Sequence, residues 1–144
     1  MKLNLGVGIK PIEDFEGVDK KDYGQKYIFD LEKLWELESD SVDEIYCSHL
    51  LEHIKDINFF MSELYRCMKK GSQVTFFVPH YSWEGAFRDP SHVRFFTENT
   101  FNYFNKEYAK NVDYDMEYEF NFKVETNFTD ERGYPEVKAI LIKI

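Results

Sequence analysis

Near the end of the chain, Val137-Lys138-Ala139-Ile140-Leu141-Ile142 reads as a strand apolar on both faces. Such a strand must be covered on both sides. The stretch before it differs. Met116, Tyr118, Phe120, Phe122, Val124 and Phe128 alternate with Glu117, Glu119, Asn121, Lys123, Glu125 and Asn127, the pattern of a strand with one wet face. The final strand is therefore expected inside a sheet and its predecessor nearer an edge. Upstream, strand-type runs recur at Lys2–Leu5, Phe15–Asp19, Tyr27–Phe29, Val42–Cys47 and Val74–Val78. Ile57, Phe60, Met61, Leu64 and Met68, spaced by three and four, predict a helix between the last two runs. Asp56 is its expected N-cap, with Lys69, Lys70 and Gly71 marking its end. A polar-aromatic loop follows from His80 to Phe96, and Thr97 is expected to cap a shorter helix through about Asn105. Strands alternating with helices and closed by a hairpin predict an α/β fold with a mostly parallel sheet.

A chain of 144 residues suits one domain, drawn here as 1–144. With 14 Phe and 10 Tyr, ring packing is expected to supply much of its core. The net charge of −9 lacks the electrostatic footprint of a nucleic-acid binder. No apolar run approaches the ~18 residues of a membrane span, and Met1–Gly6 has no signal-peptide layout. Cys47 and Cys67 form no disulfide framework. The expectation is a soluble, cytoplasmic chain with no membrane or nucleic-acid partner and an oligomeric state the sequence does not give.

Three segments could carry chemistry. Gly6-Val7-Gly8 directly follows the first strand, where glycines permit a tight turn and close approach of a ligand to the backbone. It does not complete the dinucleotide fingerprint: the third glycine position is Pro11, and the next strand-end acid, Asp19, comes about half the usual ~20 residues on. At the end of a second parallel strand, the Asp19 carboxylate could accept two hydrogen bonds from a ribose. His49-Leu50-Leu51-Glu52-His53 matches the inverted zinc-protease pattern. The match follows a buried strand directly and no downstream helix offers a third ligand, so no metal is expected. The third segment, His80 to Phe96, leaves the carboxyl end of the fifth strand, the end at which open α/β sheets bind ligands.

Taken in order, these pieces resemble a class I S-adenosylmethionine-dependent methyltransferase, in particular the small methyltransferase type 11-like group with an opening K-L-N-L-G-x-G. The resemblance rests on Lys2–Gly8, Gly17-Val18-Asp19, Asp30-Leu31, Val42–Tyr46, Ser48–His53, Glu63–Gly71, Phe77–His80 and Asp89–Phe95. It covers about residues 2–104. It implies a Rossmann-like three-layer sandwich with a seven-stranded, mostly parallel sheet of order 3-2-1-4-5-7-6, which agrees with the burial reading of the last two strands. It also implies S-adenosylmethionine as cofactor, with Gly6 and Gly8 beside its methionine part and Asp19 on its ribose. Asp30 and Leu31 would border its adenine, with Ser48 and His49 beneath its sulfonium. The sequence departs from the pattern in four places. Only nine residues, Ile9 to Gly17, separate the glycine turn from Val18-Asp19, so the first crossover helix must be short or missing. Asn4 stands where the wider superfamily has an acid, Val7 where a cysteine is usual, and Ser72 where a glycine is.

On this reading the protein transfers a methyl group to an acceptor that could be a small molecule, a sugar or a protein side chain. His80 and His92 are the candidate general bases, because imidazole titrates near neutrality. Tyr81, Asp89 and Arg94 are candidates to orient the acceptor. Arg88 and Arg94 could form a local cationic spot favouring an anionic acceptor, or could merely pair with Glu84 and Asp89. Two other classes compete. One is a methyltransferase-like binding or scaffold protein without catalysis, and the other is a metal-dependent hydrolase built on His49, Glu52 and His53.

Overall fold

The computed structural model describes residues 1–115 and 117–144. Seven strands form one sheet: β1 (Lys2–Leu5), β2 (Glu16–Asp19), β3 (Tyr27–Ile28), β4 (Val42–Ser48), β5 (Met68–Pro79), β6 (Phe122–Thr129) and β7 (Glu136–Lys143). Their order is β3-β2-β1-β4-β5-β7-β6, as the resemblance implied. All pairs are parallel except β5–β7 and β6–β7. Among the described residues there are three α-helices: α1 (Ile57–Cys67), α2 (Gly85–Arg88) and α3 (Lys106–Asn111). One-turn 3-10 helices occupy Leu51–His53 and Thr100–Phe104.

None of the crossovers joining β1, β2, β3 and β4 carries a helix among the described residues. The expected loss of the first helix is thus part of a wider thinning. The core is built mainly on one side. Leu3, Leu5, Ile45, Cys47, Val74, Phe76, Ala139 and Leu141 are buried together with Phe60, Met61 and Leu64 of α1. On the opposite face, Tyr46, Thr75 and Ile140 stand in register and are only half-buried. That explains a difference at β7. Its sequence reads as apolar on both faces, yet burial alternates along it.

The helix α1 begins where expected, with Asp56 Oδ1 accepting from the Phe59 N–H at 3.0 Å. It ends earlier than expected, at Cys67, because Met68 turns extended and pairs with Val42. This buries Met68 completely, a side chain whose removal from water is worth roughly 1.5–3 kcal/mol. Lys69, Lys70 and Gly71 therefore open β5, and Lys69 pairs with Asp43 at 2.6 Å. From the same helix, Glu63 accepts the Trp35 N–H at 2.9 Å and Arg66 donates to the Leu37 and Trp35 carbonyls. Trp35 packs edge-on to Phe60. These contacts hold the helix-free β3–β4 connection against the core.

Another difference lies before β6. The alternation from Met116 predicts a longer strand, but β6 starts at Phe122; Met116 itself lies outside the described residues. The partner β7 ends at Lys143, paired with Phe122, so the ladder offers Tyr118 and Phe120 nothing to pair with. Phe120 instead packs on Phe104. At the other end of this hairpin, Glu136 pairs with both Thr129 and Pro79. Its tip, with Gly133 at φ +98°, therefore comes back to the carboxyl edge of the sheet.

Candidate active site

That edge carries two clefts that share Gly6. The first is lined by Gly6, Asp19, Asp30, Leu31, Leu50, His53 and Ile54, among others. Its cavity volume is about 120 Å3. Gly6 has φ +67°, and a Cβ added there would meet Leu50 at 3.2 Å. The turn is clamped by the carboxylate of Asp19: Oδ2 accepts the Gly8 N–H and Oδ1 the Lys21 N–H, each at 3.1 Å. Each oxygen keeps a lone pair for a further donor. Leu31, Leu50 and Ile54 supply apolar walls.

The second cleft is lined by Gly6, Val7, Gly8, Tyr46, Ser48, His49, Arg132 and Tyr134, among others. His49 closes β4 with φ +52°, a left-handed conformation unusual outside glycine. Its Nε2 lies 2.6 Å from Glu136 Oε2 and its Nδ1 3.2 Å from Glu52 Oε1. Burial works against the charge of this ring, but the two carboxylates outweigh it and raise its pKa above the usual histidine value. Glu136 is fully buried and is held by Arg132 through contacts of 2.9 and 3.1 Å. Arg132 also donates to the Tyr46 and Ser48 hydroxyls, both at 2.8 Å. Both hydroxyls thus retain their own protons for another acceptor.

The expected cofactor residues gather at these clefts: Asp19, Asp30 and Leu31 at the first, Gly8, Ser48 and His49 at the second, Gly6 at both. The five residues expected to act on the acceptor line neither. His80 is buried, with Nδ1 2.6 Å from Ser82 Oγ and Nε2 3.3 Å from Glu98. Beside it, Tyr81 is exposed. Asp89 accepts from the Ser91 N–H and hydroxyl. His92 turns inward toward Glu52 and contacts the Ala86 carbonyl through Nδ1 at 2.7 Å. Arg94 donates to the Ile54 and Lys55 carbonyls, while Arg88 pairs with Glu84 at 3.1 Å. Both guanidinium groups are therefore engaged within the chain.

A methyltransferase-domain family model matches residues 7–76. Among solved structures, an Archaeoglobus fulgidus S-adenosylmethionine-dependent methyltransferase superposes with a TM-score of 0.68 at 17% identity, covering 99% of this chain and 85% of that one. A Thermotoga maritima S-adenosylmethionine-dependent methyltransferase gives 0.67 at 16%, covering 99% and 82%. The chain shares the fold of these methyltransferases. A third structure, Haemonchus contortus phosphoethanolamine N-methyltransferase 2 bound to S-adenosylmethionine, gives 0.66 at 16%, covering 99% of this chain and 48% of that one. At these identities the structural likeness is one of fold. No curated protein matches the chain by sequence.

Arg132, Tyr134 and Tyr46, which line the second cleft, and the buried Glu136 behind them are groups that sequence reading passed over. One signal was available: Glu136 is an acid at the head of an otherwise apolar strand, a position that needs a buried partner. Nothing in the sequence identifies Arg132 as that partner. Burial pushes the Cys67 thiol up to about 11, which leaves it unreactive.

Proposed function

We propose that this chain binds S-adenosylmethionine across the two clefts and transfers its methyl group to an acceptor in the second. The observation that carries this reading is the junction at Gly6. A carboxylate suited to ribose, Asp19, stands on one side of it, and Ser48, His49 and Tyr134 stand on the other. The residues fit the cofactor. The free lone pairs of Asp19 suit two ribose hydroxyls. Leu31, Leu50 and Ile54, bordered by Asp30, suit adenine. A Cβ built on Gly8 meets nothing within 4 Å, so its backbone is open to the methionine end. When bound, the cofactor supplies a methyl group on a sulfonium leaving group.

The chain's own contribution is orientation and exclusion of water. Tyr46 and Ser48, each accepting from Arg132, point their remaining protons at an acceptor's lone pair. Trp83 stacks on Tyr134 with centroids 4.7 Å apart, giving that cleft an aromatic wall. His49 borders the cleft, but both its ring nitrogens face carboxylates, so it has no free lone pair for an acceptor that must lose a proton. His80 and His92 would serve only if the 80–96 segment moved toward it. Tyr81, Asp89 and Arg94 would meet an acceptor through the same movement. The acceptor's identity stays open among small molecules, sugars and protein side chains.

Isothermal titration with S-adenosylmethionine and S-adenosylhomocysteine tests this. Wild type is expected to bind both at one site, and Asp19→Ala to bind about 10- to 100-fold more weakly, the scale of charged hydrogen bonds. A folded wild type that binds neither ligand overturns the proposal.

A further inference from the structure

We infer that Glu52, His53 and His92 form a binding site for a divalent transition-metal ion of the zinc class. The starting point is a buried carboxylate. Glu52 sits in the 3-10 turn after β4 and is 1% exposed, and neither of its oxygens has a hydrogen-bond partner. A buried carboxylate left this way is costly and uncommon in a native fold. His49 Nδ1 lies 3.2 Å from Oε1 as an ion pair but is not aligned for a hydrogen bond.

The histidines converge on the same carboxylate. His53 Nε2 and His92 Nε2 each lie 4.0 Å from Glu52 Oε1, and one ligand atom from each of the three residues falls within 4.8 Å of the others. The two rings meet edge-on, centroids 4.7 Å apart. Their tautomers follow from the neighbouring bonds. Ser91 has one hydroxyl proton and gives it to Asp89 Oδ1 at 2.6 Å. Its oxygen therefore accepts from His53 Nδ1 at 3.0 Å. His92 Nδ1 lies 2.7 Å from the Ala86 carbonyl, which can only accept. Both imidazoles thus spend their N–H away from Glu52, and in the neutral ring both Nε2 lone pairs point toward it.

Three electron pairs facing one another form a set of donors suited to a cation, beyond the charge His49 brings to Glu52 Oε1. The separations decide which kind. At 4.0 Å the gap is too long for a hydrogen bond, and drawing the ligands in by about half an ångström gives the ~3.3–3.6 Å ligand spacing of a tetrahedral zinc with bonds of ~2.0–2.2 Å. Each nitrogen's partner N–H is anchored on an oxygen, the outer arrangement that metal-bound histidines adopt. Asp89 Oδ2 stands 3.6 Å from His92 Nε2. The ion would join the His80–Phe96 loop to the wall of the first cleft, which His53 and Ile54 line. The contacts of that loop already run the same way: the Val93 N–H donates to the Glu52 carbonyl at 2.9 Å, and Arg94 to the Ile54 carbonyl. This site is structural rather than hydrolytic. It uses Glu52 as a ligand and recruits His92 from the loop in place of the His49 of the sequence motif.

The test uses the tag-free full chain freed of metal by a chelator and titrated with zinc and, as a spectroscopic probe, cobalt(II). The expected result is one ion per chain, visible ligand-field bands of low coordination number with cobalt, and a higher melting temperature with metal. Glu52→Gln and His92→Ala are expected to lower affinity at least ~10- to 100-fold, at or beyond the scale seen for outer partners of metal sites. Glu52→Gln keeps the shape of the side chain and relieves the buried charge, so it guards against simple unfolding. Wild type without stoichiometric binding, or tight binding unchanged in Glu52→Gln and His92→Ala, overturns the inference. Neither readout depends on methyl transfer or on cofactor affinity.

Discussion

The two halves of the carboxyl edge are held together by different forces. Around β1 and β2 the ligand-facing groups are fixed by backbone: Gly6 and Val7 donate to the Val18 carbonyl, and Gly8 and Lys21 donate to Asp19. Around β4, β5 and β7 they are fixed by ion pairs on two buried carboxylates, Glu136 and Glu52, contacted by Arg132 and His49. Backbone ladders survive the loss of one side chain. Ion pairs on buried carboxylates do not, because removing one member strands the other. The first half should therefore respond to mutation mainly in binding, and the second mainly in stability.

The largest effect is expected on the charged side. Glu136→Ala leaves Arg132 and His49 without their buried partner and should cost about 3–5 kcal/mol in chemical denaturation. A loss under ~1 kcal/mol would erase the distinction between the halves. On the backbone side, Asp19→Ala should lose about 1.5–3 kcal/mol of cofactor binding. Because Asp19 also clamps the glycine turn, a stability loss of about 0.5–1.5 kcal/mol should accompany it, visible as a small fall in melting temperature without ligand. Arg94→Ala probes the seam between the halves. Its guanidinium serves three backbone contacts, so about 1–2 kcal/mol of stability should go, with cofactor affinity within ~0.5 kcal/mol of wild type. The smallest effect lies away from the edge. Arg66 holds the Glu63 carboxyl below its ordinary value of 4.5. The stability this confers is complete above that value and lost as the pH falls through the lower folded pKa. Glu63→Gln should flatten that acid limb, and an unchanged pH profile would remove Glu63 from the account.

The contrast also governs what a reader of the sequence can see. Gly6-Val7-Gly8 and Val18-Asp19 are contiguous, and the chemistry they suggest is set by their own backbone. The strand order followed from the patterning of the last two strands together with the family resemblance. Arg132 becomes a cleft residue, with Glu136 behind it, only because a hairpin returns its tip to the edge where β4 ends, and no local pattern encodes that meeting. The same reason hides the cluster at Glu52. His49, Glu52 and His53 are visible as a motif, but His92 joins them through the fold of a 40-residue-distant loop. The early end of α1 was hidden too, since Lys69-Lys70-Gly71 suits a helix end and only the pairing of Met68 with Val42 overrules it.

The most direct test of the account is a crystal structure of the chain with S-adenosylhomocysteine. The account predicts the ribose hydroxyls on Asp19, the adenine between Leu31 and Leu50, and the homocysteine end over Gly8 toward Ser48 and His49. A ligand bound elsewhere, or one whose ribose makes no contact with Asp19, would contradict it.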